Sequence, residues 1–201
     1  MDRLSAIIAS AVVAVGLGAG ASIWLMMPGD NQCSAGQVAG DALIGGPFEL
    51  TNQFGERVTD QEVITEPSLV YFGYIFCPDV CPFDVARNAE AIDILAERGI
   101  SATPVFITID PERDTVEEMN HYAAAMHERM IALTGTEEEI ASAASAYRAV
   151  YQRRETDDPD FYLVDHSTFT YFMDPDGFQG FFRRTMTAEE IADEVECITG
   201  A

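Results

Sequence analysis

The sequence predicts an α/β sandwich in which strands and helices alternate along the chain. Two apolar segments, Ser68 to Phe76 and Val105 to Ile109, are rich in β-branched and aromatic residues, as buried strands are. Two further strands, Thr168 to Met173 and Phe178 to Arg183, flank a strong turn signal at residues 174–177. Helical patterns separate the first strands and follow the last one. This order is that of a thioredoxin-like domain.

The helices are predicted from caps and apolar spacing. Pro82 suits the first position of a helix, where its missing N–H is not needed. Val85, Ala89 and Ile92 then recur at helical spacing as far as a cap at Gly99. The remaining predicted elements are a hairpin from Pro47 to Val58, a helix capped by Asp114 and Glu117 that ends near Met126, a helix from Glu137 to Tyr147, a strand from Val150 to Arg153, and a helix that begins after Thr187 and ends near Ile198.

The chain is strongly acidic. Its 201 residues include 34 Asp and Glu against 11 Lys and Arg, which gives a formal net charge of -23 at pH 7, and every one of the basic residues is arginine. Such a charge repels nucleic acid and anionic membrane surfaces, so binding to a phosphate backbone is not expected. Either a cationic partner surface or solubility alone accounts for the acidity.

The N-terminal residues predict a transmembrane anchor, residues 1–27. Leu4 to Met27 is uncharged and longer than the roughly 20 apolar residues that a bilayer core requires. Arg3 favours a cytoplasmic N-terminus, which places the rest of the chain outside the cytoplasmic membrane. A cleaved signal peptide is the alternative, with a small-residue site at residues 19–21, but the apolar run continues beyond it. Residues 28–46 are expected to be a linker and residues 47–201 the folded domain.

Two cysteines, Cys77 and Cys81, are the first candidates for chemistry. They lie between a predicted strand and a predicted helix, where the helix dipole and unpaired backbone N–H groups favour a thiolate. A thiolate is both a nucleophile and a soft metal ligand, so the pair suits either redox exchange or metal binding. A structural disulfide has no need of a helix N-terminus. The C-x-x-x-C spacing is one residue wider than the C-x-x-C that is usual in thiol oxidoreductases of this fold.

The chain has three histidines from which a third ligand can come. His121 and His127 are six residues apart on a predicted helix, point to different faces, and are expected to be surface or half-buried residues. His166 follows an irregular acidic segment and precedes the strand that begins at Thr168. Asp79 lies between the two cysteines and is not expected to be a ligand. Asp110 to Thr115 is expected to be a turn and helix cap, or alternatively a support for the site.

Three motifs resemble the Sco/SenC family of copper chaperones. They are Cys77 to Pro82, Asp110 to Thr115, and Asp165 to Ser167 followed by the turn at residues 174–177. The resemblance extends in order from about Pro47 to Cys197. It implies a membrane-anchored thioredoxin-like domain that binds copper and serves assembly of the Cu-A centre of cytochrome c oxidase. The partner is then the copper-bearing subunit of that enzyme.

Matched motif by motif, the resemblance implies that Cys77, Cys81 and His166 are the copper ligands. Two thiolates and one imidazole suit three-coordinate Cu(I), and an added oxygen ligand would suit Cu(II). Zinc in structural sites usually has a fourth protein ligand, for which the sequence offers no obvious residue. The resemblance also implies a single-pass protein of a bacterial cytoplasmic membrane, with its domain on the periplasmic side.

Three functions remain open from the sequence. The first is copper delivery through the three ligands. The second is a thiol–disulfide oxidoreductase that reduces the partner's cysteines through Cys77 and Cys81, with His166 dispensable. The third is a redox or copper sensor. The other two cysteines, Cys33 and Cys197, fall outside the family motifs, and a disulfide between them is feasible because domain termini are often close in space.

Overall fold

The computed structural model describes Cys33, residues 44–154, Thr156 and residues 161–200. Strands and helices alternate through these ranges, as the sequence predicts. The strands are β1 (Glu49–Asn52), β2 (Arg57–Thr59), β3 (Ser68–Gly73), β4 (Thr103–Thr108), β5 (Ile131–Thr134), β6 (Tyr151–Arg153), β7 (Val164–His166), β8 (Thr170–Asp174) and β9 (Gly177–Phe182). The helices are α1 (Asp60–Val63), α2 (Val80–Glu97), α3 (Val116–Met126), α4 (Glu137–Ala146) and α5 (Ala188–Thr199).

A mixed seven-stranded sheet forms the centre of the fold, in the order β2-β1-β5-β4-β3-β8-β9. Strand β3 lies parallel to β4 and antiparallel to β8. Every residue of β3 and β4 is buried, which explains why both strands read as continuous apolar segments. A separate two-stranded sheet pairs β6 with β7 and sets Tyr151 opposite His166.

Two hydrophobic clusters hold the helices against the sheet. One joins α2 and α5 to the sheet through fully buried side chains such as Ile92, Phe172 and Ile191. The other and larger cluster includes Tyr71, Phe106 and both free cysteines, Cys77 and Cys81. The positions of the two thiols are therefore fixed by core packing.

Most of the predicted elements are confirmed, and three short ones are missing from the sequence prediction. Strand β5 and helix α1 have only four residues each, and strand β7 has three, in a segment that was expected to be irregular. Segments of this length carry too little periodicity to be recognised. Across the described residues, no helix is both long and apolar enough to cross a bilayer. The predicted anchor at Leu4 to Met27 lies outside the described residues.

Two predicted helix starts are wrong by one to two residues. Helix α2 begins at Val80, so Cys81 lies on its first turn and Pro82 is the third helical residue. Proline is still tolerated there, because the first N–H groups of a helix have no intrahelical partner. Helix α3 is capped by Thr115, whose hydroxyl accepts a hydrogen bond from the N–H of Glu118. The neighbouring Asp114 faces the interior instead.

Candidate metal centre

The loop between β3 and α2, together with the first turn of α2, carries both cysteines of the C-x-x-x-C motif. Strand β3 ends at Gly73, and the N–H of Cys77 then donates to the carbonyl of Tyr74 at 3.3 Å, which closes a tight turn. Cys77 lies in this loop, whereas Cys81 is on the first turn of α2. Both are free thiols; Cys77 is 7% exposed and Cys81 is fully buried. Both thiols belong to the core, and Cys77 is the more exposed of the two.

The two thiols differ in acidity. Burial alone would raise the pKa of Cys77, but N–H groups of Cys81, Asp79 and Val80 and the thiol of Cys81 donate to its sulfur and lower that pKa below its usual range. Asp79 is at the N-cap of α2 without a side-chain cap bond, so the sulfur of Cys77 takes the place of a cap. Burial raises the pKa of Cys81 far above its usual range. The predicted helix-end effect thus acts on Cys77.

His166 reaches the pair from the opposite side. Its Nε2 lies 3.1 Å from the sulfur of Cys81. Its Nδ1 lies 2.9 Å from the carbonyl oxygen of Ser167, which can only accept, so Nδ1 carries the hydrogen and Nε2 presents a lone pair. The rings of Tyr71 and Tyr74 meet the imidazole edge-on, with centroids 6.1 and 6.0 Å away. Burial lowers the pKa of His166, which favours the neutral form that can bind a metal.

The structure brings the three sequence-predicted residues together. One ligand atom from each of Cys77, Cys81 and His166 lies within 4.8 Å of the others. Among the described residues, this is the one group of three or more His, Cys, Asp and Glu side chains that could hold a metal ion. Beside it lies a cavity of about 340 Å³ that Cys77 and His166 both line. The cluster is therefore buried on the side of Cys81 and accessible on the side of Cys77.

The other predicted side chains stay outside the cluster. His121 is exposed, and Nε2 of His127 lies 3.3 Å from a carboxylate oxygen of Asp93. Asp79 is exposed and contributes its backbone N–H rather than its carboxylate. The carboxylate of Asp165 accepts two hydrogen bonds from a guanidinium, each at 2.6 Å.

The sequence of the chain matches a known protein family. A family model described as SCO1/SenC matches residues 36–200. The chain belongs to the SCO1/SenC family. It is 48% identical to Protein SenC of Rhodobacter capsulatus, across all of this chain and 92% of that protein.

Two further relatives show how far the similarity extends. The mitochondrial SCO1 homolog 1 of Arabidopsis thaliana is 43% identical over 80% of this chain, but only 48% of that protein is covered, so the chain spans about half of its length. The crystal structure of Arabidopsis thaliana ScoI with copper bound is 41% identical, with a TM-score of 0.74, and covers 79% of this chain and 99% of that one. The thioredoxin-like α/β fold predicted from the sequence is thus the Sco fold.

Gly73 allows Cys81 to pack against β3 in this Sco domain. A Cβ atom at position 73 would lie 3.1 Å from the sulfur of Cys81 and 2.9 Å from a ring carbon of Tyr71. Contacts this short force a neighbour to move, and a ring in a packed core has little room to do so. The absence of a side chain at this position therefore sets the depth at which Cys81 lies.

Replacing Gly73 by alanine is expected to destabilise the domain and displace Cys81. The cost should be about 1–3 kcal/mol, as for other overpacked cores. Thermal unfolding measures the loss, and alkylation under native conditions should modify Cys81 faster than in the wild type. Gly46→Ala is the control, because its Cβ would meet only one methyl carbon, at 3.3 Å. An unchanged alkylation rate in Gly73→Ala would contradict this account.

Asp114 holds the backbone of the Cys77 loop in this Sco domain through a hydrogen bond. One oxygen of this fully buried carboxylate accepts from the N–H of Ile75 at 3.1 Å and from the hydroxyl of Thr108 at 2.6 Å. Ile75 is two residues before Cys77, so the carboxylate fixes the backbone that carries the first thiol. The sequence predicts Asp114 as a helix cap. Its carboxylate is instead buried beneath the Cys77 loop, and through it the Asp110 to Thr115 motif supports the site.

Burial raises the pKa of Asp114 to about 6, although the hydrogen bonds from Thr108 and Ile75 oppose the shift. The folded state then binds the proton more tightly than the unfolded chain, so stability falls as the pH rises from about 4 to about 6. Relative to Asp114→Asn, the wild type should lose roughly 3 kcal/mol across this window. Urea unfolding at pH 4 and pH 7 measures the difference.

Asp176→Asn is the control for this titration, because Asp176 is exposed on the β8–β9 turn. It should keep the wild-type pH dependence. If the free energy of unfolding changes equally between pH 4 and pH 7 in the wild type and in Asp114→Asn, the raised pKa of Asp114 is contradicted.

Arg113 joins the two halves of the metal centre. Its Nη1 donates to the carbonyl of Tyr162 at 3.1 Å, and its guanidinium carbon lies 3.6 Å from the centroid of the Tyr162 ring. Its Nε donates to Asp110 at 2.5 Å, and the guanidinium carbon lies 5.3 Å from the ring centroid of Phe76. Phe76 precedes Cys77, and Tyr162 is four residues before His166. One arginine thus contacts both ligand-bearing segments. Apart from its place in a motif, nothing in the sequence indicates this role for Arg113, because its partners are far apart in the chain.

The remaining cysteines differ from the C-x-x-x-C pair. Cys33 and Cys197 are both disulfide-bonded, whereas Cys77 and Cys81 are free. From the sequence, a disulfide between Cys33 and Cys197 is feasible, and both residues are in disulfides.

Proposed function

We propose that this chain binds copper through Cys77, Cys81 and His166 and delivers it to the copper-bearing subunit of cytochrome c oxidase. The observation that carries the proposal is the convergence of two sulfurs and one imidazole nitrogen within 4.8 Å. Soft thiolates and an imidazole favour copper, and three donors suit Cu(I). The Arabidopsis relative, which is similar over 79% of this chain, was solved with copper bound.

Copper fits the donor set better than zinc does. A structural zinc site usually has four protein ligands, and the group found within the described residues has three. Copper also binds a given set of ligands more tightly than zinc. A three-donor site with one accessible sulfur suits an ion that has to leave again. Cu(II) is expected to add a water or other oxygen ligand.

The family and the cysteines together support delivery outside the cytoplasm. Disulfide-bonded Cys33 and Cys197 suit an oxidising compartment. An anchor at Leu4 to Met27 would hold the domain at the periplasmic side of a bacterial cytoplasmic membrane. The acceptor that we propose for the copper is the Cu-A centre, as the resemblance to the Sco/SenC copper chaperones implies.

An anaerobic titration tests the binding step. The reduced full chain should bind one Cu(I) per molecule, with an affinity measured by competition against a chromogenic Cu(I) chelator. Cells that depend on this protein at low copper should lose oxidase activity without it and regain activity with added copper. A chain that takes up no Cu(I) in competition would contradict the proposal.

A second function, thiol–disulfide exchange, is favoured by the bond between the two thiols. Cys81 donates to the more acidic Cys77. The thiolate of Cys77 could attack a partner disulfide, form a mixed disulfide and release one partner thiolate. Cys81, once deprotonated, would then displace the second partner thiolate. The products are a Cys77–Cys81 disulfide and a reduced partner. His166 has no part in these steps, so substitution of His166 separates the two functions.

Arg113 should affect copper binding without touching the metal. Arg113→Met keeps an aliphatic side chain but removes the bonds to Asp110 and Tyr162, so the two ligand-bearing segments lose their link. The affinity for Cu(II) should fall by about tenfold, the lower end of the effect of removing a partner that orients a ligand. Competition titration measures this loss.

Arg129→Met is the matched control, because Arg129 is paired with Glu66 and belongs to none of the site contacts. It should leave the copper affinity unchanged. If Arg113→Met lowers the melting temperature but leaves the copper affinity unchanged, Arg113 does not position the ligands.

A further inference from the structure

Exposed apolar side chains are concentrated around the proposed ligands. Among the described residues, seven large apolar side chains are exposed. Four of them lie within three residues of a ligand along the chain. These four form what we term the apolar collar: Phe76, Phe83, Leu163 and Phe169, with exposed fractions of 52%, 72%, 40% and 40%.

The contacts connect the collar to the metal centre. Leu163 lines the same cavity as Cys77 and His166. Phe76 directly precedes Cys77 and packs against the guanidinium of Arg113. Phe83 follows Cys81 by two residues on α2, and its side chain is as exposed as that of Phe54 on the β1–β2 turn. Leu163 therefore lies at the open side of the cluster, Phe76 lies next to Cys77, and Phe83 lies on the first turn of the helix that carries Cys81.

Single exposed apolar residues are ordinary in a soluble domain and need no explanation. A group of them around an open functional site is different, because such groups mark surfaces that bind other molecules. Aromatic side chains are also enriched at the centres of protein interfaces. Phe83 belongs to neither hydrophobic cluster of the fold. Packing of the fold therefore does not require an aromatic side chain at this position.

We propose that the apolar collar is the docking surface for the protein that accepts the copper. This inference rests on the proposed function and adds the chemistry of the partner: an apolar patch at the acceptor's own metal site, surrounded by basic residues. The net charge of -23 indicates which molecule binds the collar: the acceptor protein, a second copy of this chain or a membrane. A second copy of this chain and an anionic membrane would both be repelled, whereas a basic rim would be attracted.

Direct binding tests the surface independently of copper. The probe is the soluble copper-bearing domain of a cytochrome c oxidase subunit, immobilised without metal, and the analyte is the copper-free full chain. Phe83→Ser should weaken binding by about tenfold or more, as truncation of a central aromatic anchor does. Phe76→Ser should act in the same direction.

Phe54→Ser is the matched control, because Phe54 is 70% exposed in the loop between β1 and β2, away from the collar. Its affinity for the probe should stay within about twofold of the wild type, as for residues outside an interface. Thermal unfolding should show all three variants folded. Equal affinity of Phe83→Ser and Phe54→Ser for the probe would overturn the proposal, as would a wild-type chain that does not bind the probe.

Two further measurements separate this inference from the proposed function. Phe83→Ser and Phe54→Ser should still bind one Cu(I), because neither replaced side chain is a ligand. A wild type that takes up no copper contradicts the function, while the binding comparison still decides the docking surface. Sedimentation velocity examines self-association. A wild-type dimer that Phe83→Ser dissociates, with unchanged affinity for the probe, would assign the collar to a second copy and overturn the proposal.

Discussion

Replacing Cys77 and Cys81 together by serine is expected to reduce copper binding from one ion per chain to none. Serine hydroxyls stay protonated at neutral pH and are hard donors, so His166 alone would remain as a soft or borderline ligand. Metal analysis after anaerobic loading and gel filtration measures the stoichiometry. The loss should be complete for Cu(I), which depends most on thiolates.

The other two cysteines provide the control. Cys33→Ser with Cys197→Ser removes the same number of sulfurs but leaves the cluster intact, so one copper should still bind. Stability should fall by about 2–5 kcal/mol, because both residues are disulfide-bonded. Copper that remains tightly bound after loss of Cys77 and Cys81 would place the site elsewhere.

Replacing His166 by alanine is expected to separate copper delivery from thiol exchange. Loss of a group that merely orients a ligand weakens metal binding by roughly 10–100-fold, so loss of the ligand should cost at least as much for Cu(II). Cu(I) should be less affected, because two thiolates alone are an acceptable environment for the reduced ion. The rate of exchange with a model disulfide should change little, since both thiols remain. Competition titrations and stopped-flow kinetics measure the two effects.

His121→Ala is the control, since this histidine is exposed on α3 and is not part of the cluster. In cells at low copper, His166→Ala should lose oxidase activity as the cysteine variants do. Normal oxidase activity in His166→Ala, with failure of the cysteine variants, would instead favour the oxidoreductase function.

The sequence predicted the parts of the site that local patterns encode. A buried apolar strand, a turn with two cysteines and a proline near a helix start predicted that Cys77 and Cys81 lie on a strand-to-helix loop. This is confirmed for Cys77, whereas Cys81 lies on the first turn of α2. The exact start of α2 was not predictable, because proline is compatible with any of the first helical positions. Because α2 begins two residues earlier than predicted, Cys81 lies within the helix and not at its cap. The sulfur of Cys77 instead accepts hydrogen bonds from the N–H groups at the start of the helix.

The supporting residues could not be predicted, because their partners are distant in sequence. Asp114 has the spacing of a helix cap, yet its carboxylate is buried under the Cys77 loop. The contact of Arg113 with Tyr162 spans 49 positions of the chain, and only the fold brings them together. The convergence of His166 with the cysteines was likewise implied by the family resemblance rather than by spacing, since it depends on the short strand β7 pairing with β6.

The most direct test of the metal centre is X-ray absorption spectroscopy of the full chain loaded with Cu(I). The copper should have two sulfur neighbours and one nitrogen neighbour, and His166→Ala should remove the nitrogen contribution while keeping both sulfurs. A spectrum with sulfur neighbours alone in the wild type, or one that His166→Ala leaves unchanged, would contradict a site formed by Cys77, Cys81 and His166.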